Sequence, residues 1–167
     1  QFRIGDVDEA VNVFDRSLAQ IGYRRPRFSV AVVFSTIVSF LRHALPQSFH
    51  LAWIRRPDRR KRLQVAHRVF STLELLWAQR NVLHCGQAHG RHLILADQIG
   101  EPSCLIHASA RQALIFGIFS VNGLALRAGR FALASAQQMG DAEAEAIAKG
   151  HVGCAHYFGA RLQDAER

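Results

Sequence analysis

The segment HCGQAHGRH, residues 84–92, places Cys85, His89 and His92 at i, i+4 and i+7, which is one face of a helix. Thiolate and imidazole are zinc donors, and three of them on one face could deliver three ligands to a single ion. CLIH (104–107) and HVGC (151–154) could add donors only if the fold brought their helices to the same place. A cysteine or serine nucleophile would need a base and an orienting group within reach. No nucleophile elbow or triad motif accompanies the three cysteines and nine histidines, so chance pairs are their simplest reading. No phosphate-binding GxxxxGK[ST] loop occurs, nor a GxGxxG after a strand, a two-aspartate cyclase site or a kinase catalytic loop. The expectation is therefore a non-enzymatic segment with no cofactor, in which Cys85, His89 and His92 are core or groove residues. A small helical metal-binding enzyme built on these three is the alternative.

Phosphate recognition is the second chemistry that residue types suggest. The net charge of +8 is accounted for by Arg24, Arg25 and Arg27 together with the block RRPDRRKR at 55–62. Arg55, Arg56, Arg59, Arg60, Lys61 and Arg62 are candidates for an anionic surface, whether nucleic acid or lipid. The block has no interleaved aromatics and is not a recognition-helix pattern, so nucleic acid is not the expected partner. A solvated linker running into a long helix is the simpler reading, with Asp58 near the helix start and the later basic residues on its exposed face.

The chain of 167 residues, 49% hydrophobic with four prolines, is long enough to bury one core and should be folded nearly throughout. Three widely spaced cysteines make no disulfide framework and fit a reducing compartment, which points to the cytoplasm. Gln1 opens the chain inside an amphipathic pattern, so a piece of a longer protein is expected.

Helix signals dominate. From Asp6 to Gln20, apolar residues Val7, Ala10, Val11, Phe14 and Leu18 recur at helical spacing, with acidic residues in the first turn and Gly22 as the stop. Similar patterns run over 59–79, 83–98, 104–119, 124–138 and 142–158. Three of these helices end alike, as LAQIG (18–22), ADQIG (96–100) and AQQMG (136–140), and Ala10, Ala88 and Ala128 each stand twelve positions before the terminal glycine. Ala88, Ala128 and Ala165 lie 40 and 37 residues apart, about two helices and two turns per step. One such hairpin cannot cover its own apolar face, so stacked hairpins share a core. A small residue at the crossing permits the short interaxial distance.

GDVDEAVNVFDRSLAQIG, LALRAGRFALASAQQMGD and GHVGCAHYFGARLQDAE resemble tetratricopeptide repeats. The order of LAQIGYRRPR, an apolar stretch reaching Leu45 and Pro46, a basic linker, LLWAQRNVLHCGQ, LADQIGEP and QQMGDAEA is similar to the helical region downstream of the ATPase module in large bacterial signalling proteins. Those proteins often carry an adenylate/guanylate cyclase or Ser/Thr kinase domain. The resemblance implies an all-α, right-handed solenoid of tetratricopeptide-like helical hairpins with a helical insertion. Its parts would be a partial repeat (1–22), the insertion and basic linker (23–58), repeats at 59–100 and 101–140, and a partial repeat (141–167). It further implies a non-catalytic interaction and regulatory module that binds a protein partner, or other domains of the same chain, in a concave groove. His107, Arg111, Gln112, Lys149, His151 and His156 are the groove candidates.

One stretch interrupts the period. Phe28 to Leu41 contains no charged residue, yet its fourteen positions fall short of the ~20 that cross a bilayer, so no transmembrane segment is expected. An inserted helix that packs on the solenoid or a neighbouring domain is expected, with SFHLAWIRR (48–56) as a short second helix. A peripheral membrane contact is the alternative for this region.

Overall fold

The computed structural model describes residues 4–23, 29–44, 57–78 and 80–158, and among these it contains helices and no strand. The helices are α1 (Ile4–Gln20), α2 (Ser29–Ala44), α3 (Pro57–Ala78), α4 (Val82–Ile99), α5 (Pro102–Ile118), α6 (Asn122–Met139) and α7 (Ala142–Phe158). The apolar run is thus the helix α2; the stretch 48–56 lies outside the described residues. The helices fall into two compact units, Gln1–Ile99 and Gly100–Arg167.

Local sequence sets the helix ends. Gly22, Gly100 and Gly140 all have positive φ, at 87°, 68° and 67°, the left-handed conformation that glycine adopts without a Cβ clash. After α1, Tyr23 N–H donates to Leu18 C=O and Gly22 N–H to Ala19 C=O, which closes the orphan carbonyls in a Schellman motif. Asp141 and Gly140 do the same for α6, bonding to Ala136 and Gln137. After α5 the left-handed position is held by Ser120, with φ of 59°. Helix starts are equally explicit. Asn81 Oδ1 accepts the N–H groups of Leu83 and His84 ahead of α4, and Asp141 Oδ1 accepts that of Ala144 at the start of α7.

In the first unit α4 is the central helix, packed against α3 on one side and α2 on another, so that residues 85–90 and 92–96 are all buried. Its partner α3 buries Leu63, Ala66, His67, Phe70, Leu73 and Glu74, the i, i+3, i+4, i+7 stripe expected of an amphipathic helix. Fully buried Phe70, Leu73, Leu93 and Leu95 each contribute roughly 1.5–3 kcal/mol of burial free energy. Val11 and Leu18 seat α1, which meets α3; Tyr23 closes edge-on against Phe70, and Arg80 pairs with Asp8 at the surface.

The second unit is a hairpin of α5 and α6 with α7 laid against both. Its core is built of small residues, Ala110, Ala132, Ala136, Ala144 and Ala148 around Ile106, flanked by Leu133 and Ile147. Side chains this short let helices approach until backbone meets backbone. A Cβ at Gly117 would sit 2.8 Å from Ala155 Cα, and one at Gly129 would run into Val152 and Ala113. Of the three alanines that mark the repeat period, Ala88 is fully buried whereas Ala10 and Ala128 are half-buried. On α6 the glycine with no room for a Cβ is Gly129, one residue past Ala128.

These contacts predict opposite outcomes for two glycines in helix interiors. Gly117→Ala should lower stability by about 1–3 kcal/mol because backbone must shift. Gly150→Ala, with nothing within 4 Å of the new Cβ, should raise it by up to about 1 kcal/mol through helix propensity. Ser120→Gly should also stabilise, by about 1 kcal/mol, by relieving the left-handed serine. Urea unfolding of the three variants measures all of these.

Candidate functional site

The stripe that α3 turns toward α4 is apolar except at two positions, His67 and Glu74. Glu74 lies one turn beyond Phe70 and beside Leu73, so helical register alone carries its carboxylate into the interface. On α4, His89 and His92 are three residues apart and share the face that meets it. His92 Nδ1 lies 3.1 Å from Glu74 Oε2, and His89 Nδ1 lies 3.3 Å from Glu74 Oε1. One imidazole therefore addresses each carboxylate oxygen. The ring of His67 packs on His92 with centroids 4.3 Å apart, and the rings of His89 and His92 meet edge to face at 6.3 Å. All four side chains are buried, His89 completely.

Burial by itself raises the pKa of Glu74 and is the largest influence on it. The charge of His89 and the hydrogen bonds from His89 and His92 together outweigh it and hold the carboxyl down at about 2, from an ordinary 4.5. An ionised carboxylate only accepts, so the nitrogen facing it must carry the proton: the His92 Nδ1–H donates to Glu74 Oε2. One acceptor and two nitrogens that can exchange a proton for a lone pair form a set able to hold a divalent ion. The ligand atoms of Glu74, His89 and His92 all lie within 4.8 Å of one another.

Sequence spacing identified two members of this set and missed the third. Cys85 is buried and shares the helix with His89 and His92, but it is not among the converging donors; Glu74, from the preceding helix, takes that place. Its signal was a carboxylate at a position where the α3 stripe calls for an apolar residue. CLIH and HVGC lie on α5 and α7, and Cys104 Sγ contacts Glu101 Oε2 at 3.8 Å.

The groove candidates fall on α5 and α7. His107, Arg111 and Gln112 are half-exposed on α5, with His107 and Arg111 one turn apart. On α7, Lys149 is exposed and ion-paired with Glu145 at 2.9 Å, His151 Nδ1 donates to Ile147 C=O at 2.9 Å, and His156 is half-buried. Of the basic block, Arg60, Lys61 and Arg62 stand exposed on α3 just ahead of buried Leu63. Arg59 lies in the first turn of that helix, and Arg55 and Arg56 lie outside the described residues.

A second feature is the apolar run 28–41, expected to pack on the solenoid or a neighbouring domain, with a membrane contact as the alternative. The outer side of α2 carries Val30, Val33, Phe34, Ile37 and Val38 at i, i+3, i+4, i+7 and i+8, all exposed, Val30 at 83% and Phe34 at 69%. The side that meets α4 carries Val32, fully buried, and half-buried Thr36, whose methyl faces Gly86 and whose hydroxyl donates to Val32 C=O at 2.8 Å. Among the described residues no helix is long and apolar enough to cross a membrane.

In comparisons with known proteins, no family model, no curated protein and no solved structure matches this chain.

The pairing of Glu74 with two histidines makes stability depend on pH in a definite direction. A carboxyl whose pKa is lower in the folded state than in the unfolded one stabilises fully above the unfolded value, and that contribution is lost as pH falls through the folded value. For Glu74 the window runs from 4.5 down to about 2. Glu74→Gln should cost on the order of 2–4 kcal/mol at neutral pH, since it leaves imidazoles facing an amide. The gap between variant and parent should close toward pH 2. Urea titrations across that range, in the presence of a chelator, measure it.

Proposed function

We propose that the chain is a non-catalytic interaction and regulatory module of tetratricopeptide-like helical hairpins, and that the outer face of α2 is its docking surface. The observation that carries this reading is the exposed apolar face of α2. Val30, Val33, Phe34, Ile37 and Val38 point outward at seam spacing, while Val32 and Thr36 lie on the packed side. A seam at i, i+3, i+4, i+7 and i+8 is the spacing by which one helix receives another, so the occupant is an apolar helix from a protein partner or from another domain of the same chain. The sealed position of Glu74, His89 and His92 supports a non-catalytic role, because a substrate cannot touch side chains exposed by 2% or less. As the resemblance to bacterial multidomain signalling proteins implies, docking would be coupled to an ATPase module and a signalling output domain. Such coupling requires the partner to prefer one arrangement of the hairpins over another.

A photo-crosslinking residue placed at position 34 of the full-length protein in cells tests this. Adducts to a polypeptide, mapped to an apolar helix and lost on Ile37→Asp, are expected. Ile37→Asp should itself change fold stability by no more than about 0.5 kcal/mol, as an exposed substitution. Adducts to lipid alone would replace the protein partner with a membrane surface, and adducts no more frequent than at exposed Lys61 would overturn the docking surface.

A further inference from the structure

The geometry points to a divalent transition-metal site, of zinc-like preference, formed by Glu74 of α3 and His89 and His92 of α4 in the interior of the first unit. Three observations converge on it. The first is donor chemistry: one carboxylate oxygen and two imidazole nitrogens are a zinc ligand set, and imidazole distinguishes this class of ion from calcium and magnesium, which prefer oxygen. The second is spacing. Bonds of about 2.0–2.1 Å to a tetrahedral ion place neighbouring donors about 3.3–3.4 Å apart. The carboxylate oxygens of Glu74 already stand 3.3 Å from His89 Nδ1 and 3.1 Å from His92 Nδ1. The third separation, between ligand atoms of His89 and His92, is within 4.8 Å, so an ion would draw the donors together by a small side-chain adjustment as it replaced the protons. The third is burial, with every donor side chain at 2% exposure or less, so that an ion held here would be a structural pin.

In the bound form each histidine would present a bare Nδ1 and carry its proton on Nε2, while Glu74 stays ionised. Any second proton held by a histidinium is released to solvent. Helix bundles place metal sites in this manner, with side chains of facing helices projecting into the core. His67, stacked on His92, is a positioning residue that limits how the His92 ring can turn. The site is independent of the α2 docking surface, and either can fail without the other.

The test uses the whole chain, stripped with a chelator and then given zinc or cobalt(II), both directly and during refolding, because a sealed site loads as the helices close. Expected results are one equivalent bound, a higher melting temperature, and cobalt absorption of a tetrahedral or five-coordinate nitrogen and oxygen site. Glu74→Gln should weaken binding by at least about tenfold, while Cys85→Ser and His107→Ala leave it unchanged. If the Glu74 variant fails to fold, nitrogen NMR of the parent protein decides. Zinc should shift the Nδ1 signals of His89 and His92 and leave those of His107, His151 and His156 in place. Substoichiometric binding by both loading routes, or shifts confined to the other histidines, would overturn the site. Binding lost in Cys85→Ser but kept in Glu74→Gln would overturn the assignment of Glu74.

Discussion

The first unit is organised around a carboxylate that cannot reach water. Once Glu74 lies in the α3–α4 interface as an anion, its oxygens need compensation: His92 donates to Oε2, and His89 Nδ1 stands 3.3 Å from Oε1. Breaking a buried pair by removing one partner typically costs 3–5 kcal/mol, so the arrangement resists displacement far more than apolar contact does. Sliding α4 by one turn, about 5.4 Å, would keep greasy surface against greasy surface and lose both contacts. Apolar packing tolerates such alternatives and a paired charge does not. Because α4 also carries α2 on another side, the register fixed at Glu74 extends to the helix with the exposed seam.

The second unit solves the same problem by steric means. Gly117 against Ala155 and Gly129 against Val152 are contacts with no spare volume, so α7 fits α5 and α6 in one way. A seam of alanine and glycine buries little area per residue, and its cohesion comes from the number of atoms brought into dispersion contact. Large apolar residues are then free to stand outside, as Leu124, Phe131 and Met139 do on α6. Neither unit spends all of its large side chains on its own core.

Much of this was legible in the sequence, for reasons that differ from place to place. Helix ends were readable at Gly22, Gly100 and Gly140 because only glycine takes the left-handed turn at no cost, whereas Ser120 takes the same turn and gives no such signal. His89 and His92 were paired by their spacing on one helix, but spacing along one helix cannot find a ligand on another, so Cys85 stood in for Glu74. Two charged or titratable residues, His67 and Glu74, occupy the apolar stripe that runs from Leu63 through Phe70 to Leu73, and that interruption is the readable trace. Reading His92 as a core residue is consistent with its burial. The inference that a packing position carries no chemistry does not follow, since a buried imidazole must bond to something.

The apolar run of α2 shows how composition and placement can be separated. Its hydrophobicity alone is compatible with a strand, a span or a core helix, and its fourteen uncharged positions exclude only the span. What distinguishes the outcomes is which face the fold uses. A core helix would turn its largest side chains inward; here Val32 and Thr36 face inward while Phe34 and Ile37 face out. Thr36 meets Gly86 of α4 at ordinary van der Waals distance, so the described part of the packed side is built from Val32 and Thr36 while Phe34 and Ile37 stay outside. The helix α4 that receives the buried carboxylate is also the one against which α2 packs. The interior polar pairing and the helix that carries the exterior apolar seam are in this way joined through one element, α4, so a shift of α4 that breaks the first also moves the second.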